Sequence, residues 1–203
     1  DGFEFFGGTA DLKWAVSTGN SDDSFDWSHG WRGRGQFWVV QQDAATGDNG
    51  MECDNWETTY TVTPFSEPKV SNFTLVGADD GSANHGLRLR HGTKGKLWNG
   101  LITGFAQGIR VGTECDAYVA DGSLFVKNSA LWNNTTTFNN AGIIETDVTY
   151  GNTTTSASLD GFIGTETAGA VDPSAVDSWF SSVTFKGAVQ ASDDWTAGWT
   201  VAL

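Results

Sequence analysis

The chain has 203 residues, of which 38% are hydrophobic and 13% aromatic; this is enough apolar surface to fill the core of one domain and excludes a wholly disordered chain. Its formal net charge is −14 and its pI about 4.3. These values exclude nucleic acid as a partner, because an acidic fold repels phosphate backbones. The sequence contains no 18-residue apolar run, so we expect no membrane insertion.

A short pattern recurs from the first residue: a turn residue, a small residue, then an apolar–polar–apolar step. Its first apolar positions are residues 3, 25, 51, 87 and 109, which gives gaps of 22, 26, 36 and 22 residues. A second apolar segment follows each copy of the pattern, separated from it by turn residues. The long gap indicates one coil plus a loop at about residues 54–67. The second segments are residues 12–16, 36–40, 70–76, 97–102 and 124–128.

Stacked coils of this length predict an all-β fold, a right-handed parallel β-helix (β-solenoid) with an irregular C-terminal cap. One such coil cannot bury its own apolar face, but stacked coils form a continuous core. The alternative is an antiparallel β-sandwich, which gives no reason for equivalent Gly–apolar–acid–apolar steps. We expect glycines 2, 50, 86 and 108 to share one corner, where a sharp bend favours a residue without Cβ.

Strand alternation separates an interior set of side chains from an exterior set. The exterior positions form a charged ladder of Glu4, Asp26, Glu52, Arg88 and Arg110. The interior positions form two ladders, of Phe3, Phe25, Met51, Leu87 and Ile109, and of Phe5, Trp27, Cys53, Leu89 and Val111.

The periodicity weakens after residue 132. We therefore predict one domain in three parts: regular coils over 1–132, irregular Asn/Thr/Gly-rich coils and loops over 133–171, and a capping segment over 172–203. Asp172 and Pro173 are typical of the start of a short helix. Trp195 and Trp199 are expected to cap the solenoid or to pack on its side.

Several sequence segments resemble those of a group of bacterial exported or surface proteins with a right-handed parallel β-helix. The resemblance covers nearly the whole chain, most loosely over 112–170, and implies the C-terminal half of longer members. It implies a secreted or cell-surface location, and it implies no chemistry because the biochemical role of the group is not established. The segments are DGFEFFGGT, TGNSDDSFDWSHGWRGRGQFWVVQQ, GDNGMECDN, GLRLRHGTKGKLWNGLITGF and SDDWTAGWT.

Acidic residues cluster on the ladder and in the adjacent turns. Stacked carboxylates repel one another and are hard oxygen ligands of the kind that Ca²⁺ prefers. They predict a calcium site; the alternative is a solvated acidic face whose charge the arginines partly offset. The candidate ligands are Asp22, Asp23, Asp26, Asp48, Glu52 and Asp54.

We assign no catalytic residue, and the sequence favours a protein that is not an enzyme. By analogy with pectate-lyase-like β-helices, a lyase would hold Ca²⁺ on Glu4, Asp26 and Glu52 and use Arg88 as its base. A hydrolase would use a carboxylate pair from Asp22, Asp23 and Asp26. Both alternatives rest on analogy, because fold does not imply function.

Two interpretations are open for Cys53 and Cys115: a disulfide, or two buried free thiols. Trp31 and Trp56 stand in loop-like sequence and are the candidate ligand-binding aromatics, since exposed tryptophans stack on sugars. Trp14, Trp38 and Trp98 fall in the second segments of three coils, where a stacked ladder is expected, either in the core or on the surface.

The predicted function is that of a non-catalytic extracellular or cell-surface β-solenoid with a structural or binding role. The exposed edge of the first coil predicts self-association, end to end into a filament. The alternatives are a calcium-dependent polysaccharide lyase or hydrolase acting on the charged ladder, and a carbohydrate-binding adhesin module. Apart from Ca²⁺, no cofactor is expected.

Overall fold

The computed structural model describes residues 1–44, 46–79 and 85–201. Within these ranges the chain forms strands joined by turns, with a few short helices. The helices are α1 (Asp116–Ala120), α2 (Ile143–Thr146) and 3-10 turns at Thr113–Cys115, Val148–Tyr150 and Pro173–Ala175. The strands are β1 (Phe3–Phe6), β2 (Leu12–Thr18), β3 (Phe25–Ser28), β4 (Arg34–Gln41), β5 (Met51–Cys53), β6 (Lys69–Val76), β7 (His85–Leu89), β8 (Lys96–Thr103), β9 (Gln107–Val111), β10 (Phe125–Lys127), β11 (Ala130–Trp132), β12 (Thr136–Asn139), β13 (Gly164–Glu166) and β14 (Lys186–Val189).

Two parallel sheets form the body of the molecule. The first sheet has the order β1-β3-β5-β7-β9-β12, and the second has the order β2-β4-β6-β8-β10, with β11 also paired to β8. From β1 to β9 the chain alternates between the two sheets, so each pair of successive strands makes one coil, and the predicted parallel β-helix is confirmed. β13 and β14 form a separate antiparallel pair. No helix in the described part of the chain is long and apolar enough to cross a membrane.

The register of the first sheet is the predicted one. Phe3 pairs with Phe25, and the column continues through Met51, Leu87 and Ile109. These strands are short and keep strict alternation, so the apolar positions enter the core and the charged positions stay outside. β12 carries this sheet past residue 132, because Phe138 stacks below Ile109.

The second sheet departs from simple alternation at one position in each coil. This column of left-handed residues has φ between 50° and 60° and consists of Trp14, Phe37, Asn72, Asn99 and Asn128. A left-handed residue bends the strand and shifts which of its neighbours point inward. Val70 and Phe73, on either side of the bend at Asn72, therefore both belong to the core although they are three residues apart.

The expected ladder of Trp14, Trp38 and Trp98 is wrong for this reason. Trp38 pairs with Ala15 and Phe73 and lies in the core. Trp14 is 52% exposed, and Trp98 is buried outside that core against Phe180.

The corner glycines are required by close stacking. None of glycines 2, 50, 86 and 108 has a positive φ. A Cβ added to Gly50 would lie 2.7 Å from the carbonyl oxygen of Gly86, and one added to Gly86 would lie 2.6 Å from that of Gly108. The predicted shared corner is confirmed, but its cause is the approach of the next coil.

We expect Gly86→Ala to lower the free energy of unfolding by about 1–3 kcal/mol, because the new methyl group collides with backbone and with Ile102. Urea unfolding followed by circular dichroism measures the loss. Ser24 occupies the same corner in the second coil and already has a Cβ, so Ser24→Ala is the matched control. An equal effect of the two substitutions would show that stacking distance does not select glycine at this corner.

A segment near the C-terminus, residues 171–189, runs along the outer face of the second sheet; we call it the strap. Asn99 exchanges two hydrogen bonds with the backbone of Val171, and Asn72 donates to the carbonyl of Phe185 at 2.6 Å. Asp177 accepts salt bridges from Arg34 and Lys69. The C-terminal region was expected either to cap the end of the solenoid or to pack on its side. The strap and Trp195 pack on its side.

The long loop predicted in the third coil is present: residues 54–68 join β5 to β6. Asp172 caps the 3-10 turn that begins at Pro173, since its carboxylate accepts from the amide of Ser174. The outer edge of β1 has no paired strand among the described residues, and stacking of copies there stays a prediction.

The two cysteines are free and buried, so the disulfide interpretation is wrong. Each packs in the main core. Burial raises the pKa of the Cys115 thiol to about 12 and that of Cys53 well above its ordinary value. Both side chains therefore act as small apolar core residues.

Candidate functional site

The charged ladder lies on the outer face of the first sheet in the predicted register. Glu4 pairs with Asp26, Asp26 with Glu52, Glu52 with Arg88, and Arg88 with Arg110. Neighbouring strands are about 4.8 Å apart, so the ladder divides into an acidic half and a basic half that meet between β5 and β7.

The acidic half contains a compact group of three carboxylates. Asp23, Asp26 and Glu52 each offer an oxygen atom, and these oxygens lie within 4.8 Å of one another. Asp23 and Glu52 are buried, and Oδ1 of Asp26 is buried without a hydrogen-bond partner. We call these three residues the carboxylate group.

Burial changes the acidity of all three residues. Loss of solvent, and then the charges of Glu52 and Asp54, raise the pKa of Asp26 to about 8. Burial raises the pKa of Glu52 to about 7, with Asp23 adding to the shift and Arg90 opposing it. Burial also raises the pKa of Asp23 to about 6, opposed by hydrogen bonds from Asn49. The group therefore retains protons near neutral pH unless a cation replaces them.

An amide and an imidazole connect the carboxylates to the next coil. The backbone N–H and Nδ2 of Asn49 both donate to Oδ1 of Asp23 at 2.7 Å, and Nδ2 also donates to Glu52 at 3.2 Å. Nδ1 of His85 lies 2.6 Å from Oδ1 of Asn49. Burial, and then Arg88, lower the pKa of His85 to about 4, so this imidazole is neutral and its Nδ1 can donate to the amide oxygen.

The basic half is held by ion pairs with the acidic half. Arg90 bonds to Glu52 and, through Nε, to Asp54 at 2.9 Å. Arg88 lies 3.5 Å from Glu52, and His91 lies 3.0 Å from Asp54. These pairs fix the arginine side chains at the boundary between the two halves.

A pocket of about 380 Å³ opens beside these arginines. Arg110 is exposed and forms no salt bridge with any described residue. Arginine guanidinium groups bind carboxylates through paired hydrogen bonds, so the pocket suits a small anion. Its wall includes Tyr60, Arg88, Arg90, His91, Arg110 and Asn139.

The structure brings together part of the predicted calcium set. Asp22 joins Asp23 in a neighbouring group with Asp1, and Glu4 joins Asp26 in a group that also includes Asp1. Asp48 and Asp54 belong to none of the carboxylate groups found among the described residues. Asp54 instead pairs with Arg90 and His91.

The predicted ligand-binding role of Trp31 is wrong. Its indole is fully buried, is stacked 4.3 Å from the ring of Phe5, and donates from Nε1 to the carbonyl of Ala10. The loop-like sequence around it is a tight corner that turns the ring inward. Trp56 is partly exposed and lies edge-on against His29 at 4.1 Å, and its ligand-binding role stays a prediction.

Sequence reasoning missed three members of the site. Arg90 follows Arg88 by two residues, so strand alternation alone could have placed it on the same outer face. Asn49 and His85 are the turn residues of two successive copies of the repeat, so the register that pairs Met51 with Leu87 could have placed them side by side.

A family model described as a pectate-lyase like beta helix domain matches residues 1–200. The chain belongs to this family. Searches of the curated proteins and of the solved structures gave no significant match. Membership agrees with the two parallel sheets and supports the resemblance seen in the sequence, but it does not decide between binding and catalysis in this chain.

The carboxylate group has the chemistry needed for a calcium ion. It offers hard oxygen donors, and the unpartnered Oδ1 of Asp26 is a buried acceptor that a cation would satisfy. A bound Ca²⁺ would supply positive charge at the acidic end of the ladder. The residues present therefore fit such an ion.

Proposed function

We propose that this chain is a non-catalytic, secreted or cell-surface β-solenoid that binds an anionic polysaccharide along its charged ladder. The observation that carries the proposal is the arginine-lined pocket directly beside the carboxylate group. Arg88, Arg90 and Arg110 would receive one sugar carboxylate. Asp23, Asp26 and Glu52 would hold a Ca²⁺ ion that binds the next.

The cluster of arginines at the pocket is unusual in a chain with so large a negative charge. A net charge of −14 repels an anionic polymer from most of the surface. An exposed Arg110 next to two further arginines is therefore a local exception, and a Ca²⁺ ion on the carboxylate group would extend it along the ladder. Calcium-dependent binding follows from this arrangement.

The chemistry of Arg88 argues against the lyase alternative. A base must lose its proton, and a guanidinium is the side chain least able to do so. The guanidinium of Arg88 is also paired with Glu52 at 3.5 Å. A hydrolase pair is supported by Asp26, whose pKa of about 8 suits a proton donor. However, neither Asp23 nor Asp26 lines the arginine pocket that would receive the sugar.

The test is binding of polygalacturonate by isothermal titration calorimetry, in calcium and in chelator. We expect binding in calcium that chelation weakens by at least about tenfold. Arg110→Ala should also weaken it about tenfold, because a charged hydrogen-bond donor to the sugar carboxylate is lost. No salt bridge to a described residue is lost with it. Arg32→Ala removes another exposed arginine, outside the pocket, and should have no effect.

Four results would oppose the proposal. Absence of binding, or equal weakening by the two arginine variants, would remove the anionic-polysaccharide site. Binding unaffected by chelation would remove the calcium ion from it. A growing ultraviolet absorbance from an unsaturated uronate product would replace the non-catalytic function with a lyase.

A further inference from the structure

The column of left-handed residues in the second sheet has two different halves. In three coils the position is asparagine, and each of these side chains donates a hydrogen bond to the backbone of residues 169–185: Asn72 to Phe185, Asn99 to Val171, and Asn128 to Gly169. In the first two coils it is aromatic, Trp14 and Phe37. The C-terminal region therefore covers the asparagine half through these bonds and is held differently at the aromatic half.

An aromatic residue in this conformation needs an explanation. Trp14 has φ of 56° and Phe37 has φ of 60°, a region that asparagine tolerates and bulky side chains rarely adopt. Trp14 is also 52% exposed, so burial contributes little to keeping it there. Strain of this kind concentrates at ligand-binding positions.

A cleft opens where the aromatic half of the column faces the C-terminal region. Its volume is about 250 Å³. The rings of Trp14 and Phe37 are stacked at 6.0 Å on one side. Phe185 and Trp195 also line it, and the lining residues Gln190 and Asp193 are exposed. We call this the aromatic cleft.

We propose that the aromatic cleft binds one unit of a neutral sugar chain. Indole and phenyl faces stack on the C–H faces of a sugar ring, and the exposed carboxylate and amide accept and donate hydrogen bonds with its hydroxyls. None of the described residues that line the cleft carries a positive charge, and Asp193 repels anionic sugars. The ammonium of Lys13, 5.6 Å from the centre of the Trp14 ring, is held by the carbonyl of Trp179 and the hydroxyl of Ser181. This site is on the other sheet from the charged ladder and does not depend on the function proposed for it.

The test follows the indole N–H signals of Trp14 and Trp195 by NMR in the nitrogen-15-labelled chain. Cellohexaose, xylohexaose, mannohexaose and, as the anionic comparison, a galacturonate hexamer are titrated in turn. We expect at least one neutral hexasaccharide to shift both indole signals with a Kd of about 1 mM or tighter. The galacturonate hexamer should leave both signals in place.

Trp14→Asn separates binding from folding. Asparagine is the residue of the other coils, so the variant should keep or raise Tm while its affinity for the sugar falls at least about tenfold. Asp193→Ala, which changes an exposed lining residue, should also weaken binding. Phe6→Ala removes an exposed aromatic side chain on the first sheet and should change nothing.

The proposal fails if no neutral hexasaccharide shifts the two signals at about 10 mM, or if Trp14→Asn binds as tightly as the wild-type chain. A clearly lower Tm for Trp14→Asn would show that the fold itself requires the indole, and would remove the strain argument. In that case, unchanged binding by Asp193→Ala would overturn the cleft as a sugar site.

Discussion

Replacing Trp38 by alanine is expected to lower the free energy of unfolding by about 3–5 kcal/mol, a large part of the stability of a single domain. The indole is fully buried between two sheets and is stacked 4.3 Å from the ring of Phe25. Its Nε1 donates to the carbonyl of Leu12 at 3.0 Å. The substitution removes packing and leaves that carbonyl without its donor. Urea unfolding followed by far-ultraviolet circular dichroism measures the loss.

Trp14→Ala is the matched control for this prediction. It removes the same side chain from the preceding coil, but from a position that is 52% exposed, so we expect a change below about 1 kcal/mol. Comparable losses for the two variants would contradict the placement of Trp38 in the core and Trp14 outside it.

The stability of the chain is expected to fall by about 2 kcal/mol as the pH rises from 6.5 to 8. The folded pKa values of Asp26 and Glu52, about 8 and about 7, lie above their ordinary values of 3.8 and 4.5. The folded state thus binds more protons than the unfolded state in this window, and each extra proton costs about 1.4 kcal/mol per pH unit of increase. Chemical unfolding at fixed ionic strength, in chelator, measures the slope.

Below this window His85 acts in the opposite direction. Its folded pKa of about 4 lies below the ordinary 6.5, so the unfolded state binds the extra proton and stability falls as the pH drops from 6.5 towards 4. Above pH 6.5 the effect of His85 is small. The two carboxylates should therefore control the slope there.

Asp26→Asn is the decisive variant for the pH prediction. An amide has nearly the same shape and does not titrate, so the variant should be more stable than the wild-type chain at pH 8 and should lose most of the slope between pH 6.5 and 8. Glu145→Gln, a change to an exposed carboxylate in α2, should leave the slope intact. An unchanged slope in Asp26→Asn would show that the carboxylate is ionised in the folded chain.

Sequence reasoning predicted the first sheet well because its strands are short and strictly alternating. Phe3, Phe25 and Met51 repeat at equivalent steps, and one repeat therefore fixes the register of the next. The second sheet was harder, since a left-handed residue in each long strand shifts the inward positions. Trp14, Trp38 and Trp98 look equivalent in sequence and occupy three different environments.

The candidate site was predictable where it follows from the repeat. Glu52 and Arg88 were placed correctly because they alternate with core residues. The same repeat could have placed Asn49 beside His85, because these turn residues are 36 positions apart, as are Met51 and Leu87. The strap contacts of Lys13 span 166 positions, and no repeat indicates them, because the strap lies outside the repeating coils.

The strap is expected to change how the chain unfolds. In a solenoid without such a segment, each coil touches only its neighbours, and the ends can fray while the middle stays folded. Here one segment is bonded to Lys13, Gln36, Asn72 and Asn99, which stand in four successive coils. Opening any one of these coils breaks bonds to a segment that the others hold. The repeat array should therefore unfold in one cooperative step.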